Sequence, residues 1–133
     1  MWLAPTLTGA FAVSPPLTNG VIVNRSSVAG NAVWSGRTIG GKRSLAGILA
    51  HESCHEMERR HLGLVAYESK PTWLREGYCD YVAQESSLSE VDYARLKARH
   101  SNHPALPYFE GRRRVAATLS ANGGNVDTLF AAN

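Results

Sequence analysis

The sequence predicts an α+β fold, a small N-terminal β-sheet followed by a mainly helical core. Three observations carry this. Short β-branched or aromatic runs, the first opened by Asn-Gly and the last two separated by Ser-Gly, fall before residue 40. From Ser44 onward, stretches of helical length follow one another, each bounded by a capping residue, a proline or a glycine. The chain has 133 residues, 44% hydrophobic and 19% charged, which suits a single domain with its own core.

Residues 1–20 are rich in Pro, Thr and Gly and read as irregular, in keeping with the remainder of a longer N-terminal region. Val21-Ile22-Val23 follows Asn19-Gly20 and reads as a strand. Ala32-Val33-Trp34 and Arg37-Thr38-Ile39 read as two more, with Ser35-Gly36 as the turn between them and Gly40-Gly41 ending the pattern. Ser44 suits the N-cap of a helix from Leu45 to Leu62. Leu45, Ile48, Leu49 and Met57 offer that helix its apolar positions. Arg59, Arg60 and His61 suit its C-terminal dipole, and Gly63 suits its stop. Pro71-Thr72 opens a second helix, with Trp73, Leu74, Tyr78, Tyr81 and Val82 on its apolar side. Ser89 and Asp92 form a capping-box pattern for a third helix, to about Arg99. After the loop SNHPALP, a fourth helix runs from Tyr108 to Ala121 and is closed by Gly123-Gly124. Val126 to Ala132 forms a short last helix. There is no internal repeat, and residues 1–133 read as one domain.

The net charge of +3, from 14 basic and 11 acidic residues, is mild. The basic clusters ARLKAR and GRRRV are not interleaved with aromatic stacking platforms, so they read as solvated helix faces and no nucleic-acid partner is expected. No apolar run reaches the roughly 18 residues of a membrane helix. The opening residues lack a positive leader region and are broken by Pro5, Pro15 and Pro16, so they do not read as a signal peptide. The default location is cytoplasmic, and a longer N-terminal region would reverse it. Cys54 and Cys79 are too few for a disulfide framework and read as buried free thiols. A bridge between two packed helices is the second reading, and metal ligation the third.

The chemistry lies in HESCHEMERRH, His51 to His61. On a helix, residues four apart share a face, so His51 and His55 project together and can grip one metal ion. Glu52 lies about 100° round from His51, close enough to act on a water without ligating the metal. Two imidazole ligands and a neighbouring carboxylate base are what zinc-assisted hydrolysis needs: zinc acidifies water, and the base takes the proton.

A third ligand is required. His61 fits the spacing H-E-x-x-H-x-x-G-x-x-H except that Glu58 replaces the glycine. If the helix continues through Glu58, His61 lies about 120° from His55 and faces away. No methionine follows Met57, so the methionine turn of that class is absent too. Glu76, in PTWLREGYCDYVA, is the better candidate. It is far enough from His55 for a second helix to pack against the first. Asp80, four residues on, shares its face and can orient a ligand histidine through the free ring N–H.

HESCH followed by WLREGYCDYV resembles the gluzincin metallopeptidases, and W-L-x-E-G is similar to the aminopeptidase branch and to small peptidase-MA-like domains. PYFEGRRRVAATLSANGG is similar to the Y-x-x-G segment that follows in those domains, so the resemblance covers roughly residues 45 to 130. It implies a zincin-like fold, zinc held by His51, His55 and Glu76, Glu52 as general base, and Asp80 orienting a ligand. It implies a peptide or protein substrate. It also implies a group that stabilises the oxyanion, for which Tyr108 is the first candidate and His100 and His103 are alternatives. Such enzymes carry a larger sheet ahead of the active-site helix, whereas about 44 residues precede it here. The alternative function is therefore a zinc-binding interaction domain of the same fold without turnover.

Overall fold

The computed structural model describes residues 9–16 and 19–133; the expectations for residues 1–8, 17 and 18 lie outside them. Five short strands precede six helices among the described residues, as the α+β expectation has it. Strands β1 (Ala12–Val13) and β2 (Ile22–Val23) form one antiparallel pair, in register Ala12 to Val23. β3 (Ser26–Ser27), β4 (Ala32–Trp34) and β5 (Lys42–Arg43) form a second, antiparallel sheet in sequence order. The N-terminal sheet is thus two small sheets. Ala12, Val33 and Ile48 are buried together where they meet the first helix.

Two strand expectations are corrected. Ala12–Val13 is a strand in a stretch that reads as irregular. Arg37-Thr38-Ile39 is not a strand: residues 35–41 form one loop, closed by the Ser35 N–H donating to the Gly41 carbonyl at 3.0 Å. Gly36 and Gly40 take positive φ within it, which makes so wide a turn accessible. The strand that pairs with β4 is instead Lys42–Arg43, two residues of low strand propensity. Arg43 is 6% exposed and makes a buried ion pair with Asp80, a tertiary contact that overrides local preference.

Helix α1 (Leu45–Leu62) has the expected bounds. Ser44 Oγ accepts from the Gly47 N–H at 2.9 Å, and Asn31 Oδ1 accepts from the Ala46 N–H at 2.9 Å, so the first turn is well capped. The helix runs through Glu58 without a break and ends at Gly63, φ 81°. Its packing reverses one expectation. Leu49 and Met57 are exposed, at 41% and 69%, while the buried face carries His51, Glu52, His55 and Glu58. A helix turns polar residues inward only where partners or a ligand await them.

Helix α2 (Leu64–Ser69) is a short turn of helix that the sequence pattern does not announce. α3 (Thr72–Ala83) is followed by α4 (Glu90–Ala98), capped by Ser89, by α5 (Leu106–Ala121) and by α6 (Val126–Ala131). Leu74, Val115, Leu119, Leu129 and Phe130 form a core shared by α3, α5 and α6. Leu88, Leu96, Leu106 and Phe109 form a second around α4 and the start of α5. Among the described residues, no helix is long and apolar enough to cross a membrane.

Cys54 of α1 and Cys79 of α3 are bridged, with Cα atoms 5.4 Å apart, which corrects the expectation of free thiols. That spacing lies inside the normal range for a disulfide. A closed loop of this length stabilises by about 3–4 kcal/mol in the chain-entropy account.

Helices α3 and α5 cross at Gly77 and Gly111. A Cβ on Gly77 would stand 2.4 Å from the Gly111 carbonyl carbon, and one on Gly111 would stand 2.4 Å from the Trp73 carbonyl oxygen. Gly77→Ala should therefore destabilise the fold by about 3 kcal/mol, because backbone atoms cannot yield, even though alanine favours helix by about 1 kcal/mol. Chemical denaturation measures this, and a variant as stable as the wild type would contradict the crossing.

Candidate metal centre

The buried face of α1 and the adjoining face of α3 bring three donor atoms to one point. His51 Nε2 lies 3.0 Å from His55 Nε2 and 3.1 Å from Glu76 Oε2, and His55 Nε2 lies 3.2 Å from the same oxygen. Tetrahedral ligands about 2.0–2.1 Å from a zinc ion stand about 3.3 Å from one another. The triangle formed by these atoms is thus close to the one a zinc ion would hold. Two imidazole nitrogens and one carboxylate oxygen cannot satisfy all three edges with well-aligned hydrogen bonds, whereas a cation among them satisfies all three donors. The residues present fit the metal on this count.

The other ring nitrogens are tied back. His51 Nδ1 lies 2.8 Å from Asp80 Oδ1, which also accepts from Arg43 Nη1 at 2.8 Å. His55 Nδ1 lies 3.2 Å from Glu58 Oε2 and 3.1 Å from the Tyr67 hydroxyl. An Nδ1–H that donates to oxygen leaves the Nε2 lone pair free to bind a metal.

The electrostatics agree with the geometry. Burial disfavours the charged form of His55, but hydrogen bonds to Glu58 and Glu76 outweigh it and raise its pKa to about 9. Burial acts on His51 in the same sense, and its hydrogen bonds to Asp80 and Glu76 likewise raise it. Burial pushes Glu76 up, yet its bonds to His51 and His55 hold it well below the usual carboxylate range. A carboxylate that stays ionised and two imidazoles drawn to positive charge mark a site that attracts a cation.

A cleft of about 460 Å³ opens on this cluster. Its lining includes Phe11 to Ser14, Ala105 and Tyr108, together with His51, His55, Glu76 and Glu52. Glu52 is 7% exposed and makes no hydrogen bond or ion pair with another described residue, so its carboxylate is uncommitted. Tyr108 lies at the start of α5, and its hydroxyl pKa is raised by burial and by the charges of Glu76 and Asp80, which places it within their field.

The other candidates lie elsewhere. His61 is 70% exposed at its side chain and pairs with Asp127 of α6 at 3.0 Å. This partner, rather than the helix dipole alone, accounts for it. His103 Nδ1 accepts from the Ala105 N–H, and neither His100 nor His103 lines the cleft. Cys54, Glu58 and Cys79 form a second close group, but its two sulfurs are bonded to each other and offer no thiolate.

Sequence reasoning missed three residues of the centre. Glu58, three residues after His55, sits on the same helix face, a signal that spacing alone supplies. Tyr67 falls in the short helix α2, and Arg43 in the strand that propensity does not reveal; neither has a local signal. Comparison with family models, with characterised proteins and with solved structures finds no match to this chain.

The raised His55 pKa has a consequence for the metal-free protein. A histidine whose folded pKa exceeds its unfolded one stabilises the fold fully below the unfolded value, and the contribution is lost as pH rises through the folded value. With values of 6.5 and about 9, the melting temperature in chelator should fall between those two pH values. Added zinc should reduce that fall, since metal takes the place of the proton. Thermal melts across this pH range, with and without chelator, measure it, and a chelator curve that is flat or rises would contradict the assignment.

Proposed function

We propose that the chain is a zinc-dependent peptidase of gluzincin type. The observation that carries this reading is the convergence of His51 Nε2, His55 Nε2 and Glu76 Oε2 within 3.2 Å, with the uncommitted Glu52 lining the same cleft. Zinc, when bound by these three residues, would supply the Lewis acidity that activates water and polarises a peptide carbonyl. Glu52 takes a proton from the attacking water, and oxygen adds to the carbonyl carbon. Glu52 then delivers that proton to the departing nitrogen as the C–N bond breaks. Tyr108 donates its hydroxyl hydrogen to the carbonyl oxygen as negative charge develops there.

Strand β1 supports a peptide substrate. It lines the cleft and pairs with β2 along one edge, which leaves the other edge without a strand partner among the described residues. An extended peptide adds to such an edge through main-chain hydrogen bonds. The buried Cys54–Cys79 bridge favours an oxidising compartment over the cytoplasmic default.

The rival reading is a zinc-binding interaction domain without turnover. It is favoured by the size of the cleft-lining strand, two residues long. A purely structural zinc, however, takes four protein ligands, and three converge here among the described residues.

Glu52→Gln separates the two. It should leave zinc content unchanged and lower hydrolysis of a casein or peptide-library substrate by at least about 100-fold, the usual contribution of a general base. Equal, undetectable cleavage by the wild type and by the Glu52→Gln variant would favour the interaction domain.

A further inference from the structure

Glu58 stands out among the groups not yet given a role. It is a carboxylate in the protein interior, 5% exposed. Its Oε2 faces His55 Nδ1 at 3.2 Å and lies 3.4 Å from the disulfide sulfur of Cys79. Its Oε1 is buried with no hydrogen-bond partner among the described residues. An unpaired buried carboxylate oxygen costs stability, so a purely structural residue at this position would serve better as leucine or methionine. A role that offsets this cost is called for, and the geometry shows where it lies.

We propose that Glu58 is a positioning residue for the metal centre. It holds His55 in the tautomer and orientation that ligation requires, with the Tyr67 hydroxyl as a second contact on the same nitrogen. The inference rests on the metal reading of His51, His55 and Glu76, and not on peptidase activity. Each ligand histidine then has its own carboxylate. His51 has Asp80, from across the helix interface and fixed by Arg43; His55 has Glu58, from one turn further along its own helix. The Nδ1–H of His55 is directed to Glu58 Oε2, and so Nε2 presents its lone pair at the point where His51 Nε2 and Glu76 Oε2 meet. A cation on Nε2, like a proton there, keeps the Nδ1–H a strong donor to Glu58.

The arrangement also explains why Glu58 occupies the helix position where a glycine would let the chain turn back toward the metal. With a carboxylate there, α1 continues and the third ligand comes from α3.

The test is zinc affinity by chelator competition for wild type, Glu58→Gln, Glu58→Ala and Tyr67→Phe, with the cobalt(II) absorption spectrum of each and the melting temperature of each in chelator. Loss of such a supporting partner typically weakens metal affinity about 10- to 100-fold. Glu58→Gln keeps an acceptor oxygen and loses the charge; it should weaken zinc binding about 10-fold and shift the cobalt bands. Glu58→Ala should weaken it further, and Tyr67→Phe less than either. The metal-free melting temperature of each variant checks that it folds, so that a change in zinc affinity is read on folded protein. If wild type binds zinc and both Glu58 variants bind it within about twofold of that affinity, with unchanged cobalt spectra, Glu58 is a core residue and the proposal is overturned. If the wild type binds neither ion, the metal reading itself falls and this proposal falls with it.

Discussion

One oxygen atom, Asp80 Oδ1, holds the arrangement together. It accepts from Arg43 Nη1 and from His51 Nδ1, both at 2.8 Å, and so joins β5, α1 and α3 at a single buried point. A buried ion pair contributes little net stability against an apolar replacement, but removing one partner leaves a stranded charge at a cost of about 3–5 kcal/mol. The value of this pair is therefore geometric. It sets the rotation of the His51 ring and the register of α3 against α1, and through them the place where Glu76 meets the histidines. The strand β5, otherwise two poor strand formers, exists in this position because Arg43 must reach Asp80.

The packing around that point is built for rigidity. The Cys54–Cys79 bridge pins α1 to α3 directly beside His55, with Cys79 Sγ 3.4 Å from its ring. On the far side of α3, Gly77 and Gly111 let α5 approach to backbone contact, one residue from Glu76. A helix clamped on both faces presents the Glu76 carboxylate with little freedom, as the proposed metal site would require. The inward face of α1 is polar where a structural helix would be apolar, and the exposed Leu49 and Met57 mark the inversion.

Much of this is legible in the sequence where the determinants are local. The bounds of α1 follow from Ser44, Gly63 and the helix formers between them, and the convergence of His51 with His55 follows from helical spacing. Continuity of the helix through Glu58 turns His61 away from the histidine pair, and the structure gives that residue Asp127 as its partner. The placement of Glu76 and Asp80 follows from their spacing and from a resemblance, since no local rule dictates how α3 meets α1. What the sequence does not display is long-range: the pairing of Lys42–Arg43 with β4, the approach of Cys54 to Cys79, and the reach of Tyr67 to His55 are all set by how the elements pack. Leu49 and Met57 read as core positions because apolar periodicity assumes an apolar interior, and this helix buries its polar groups instead.

The most direct test of the central claim is zinc content per chain, by elemental analysis, for wild type, Glu76→Ala and His61→Ala. About one zinc is expected for wild type and for His61→Ala, with loss of the metal from Glu76→Ala. Retention of zinc by Glu76→Ala together with its loss from His61→Ala would contradict the claim, since it would require α1 to break near Glu58 and the third ligand to come from the helix end.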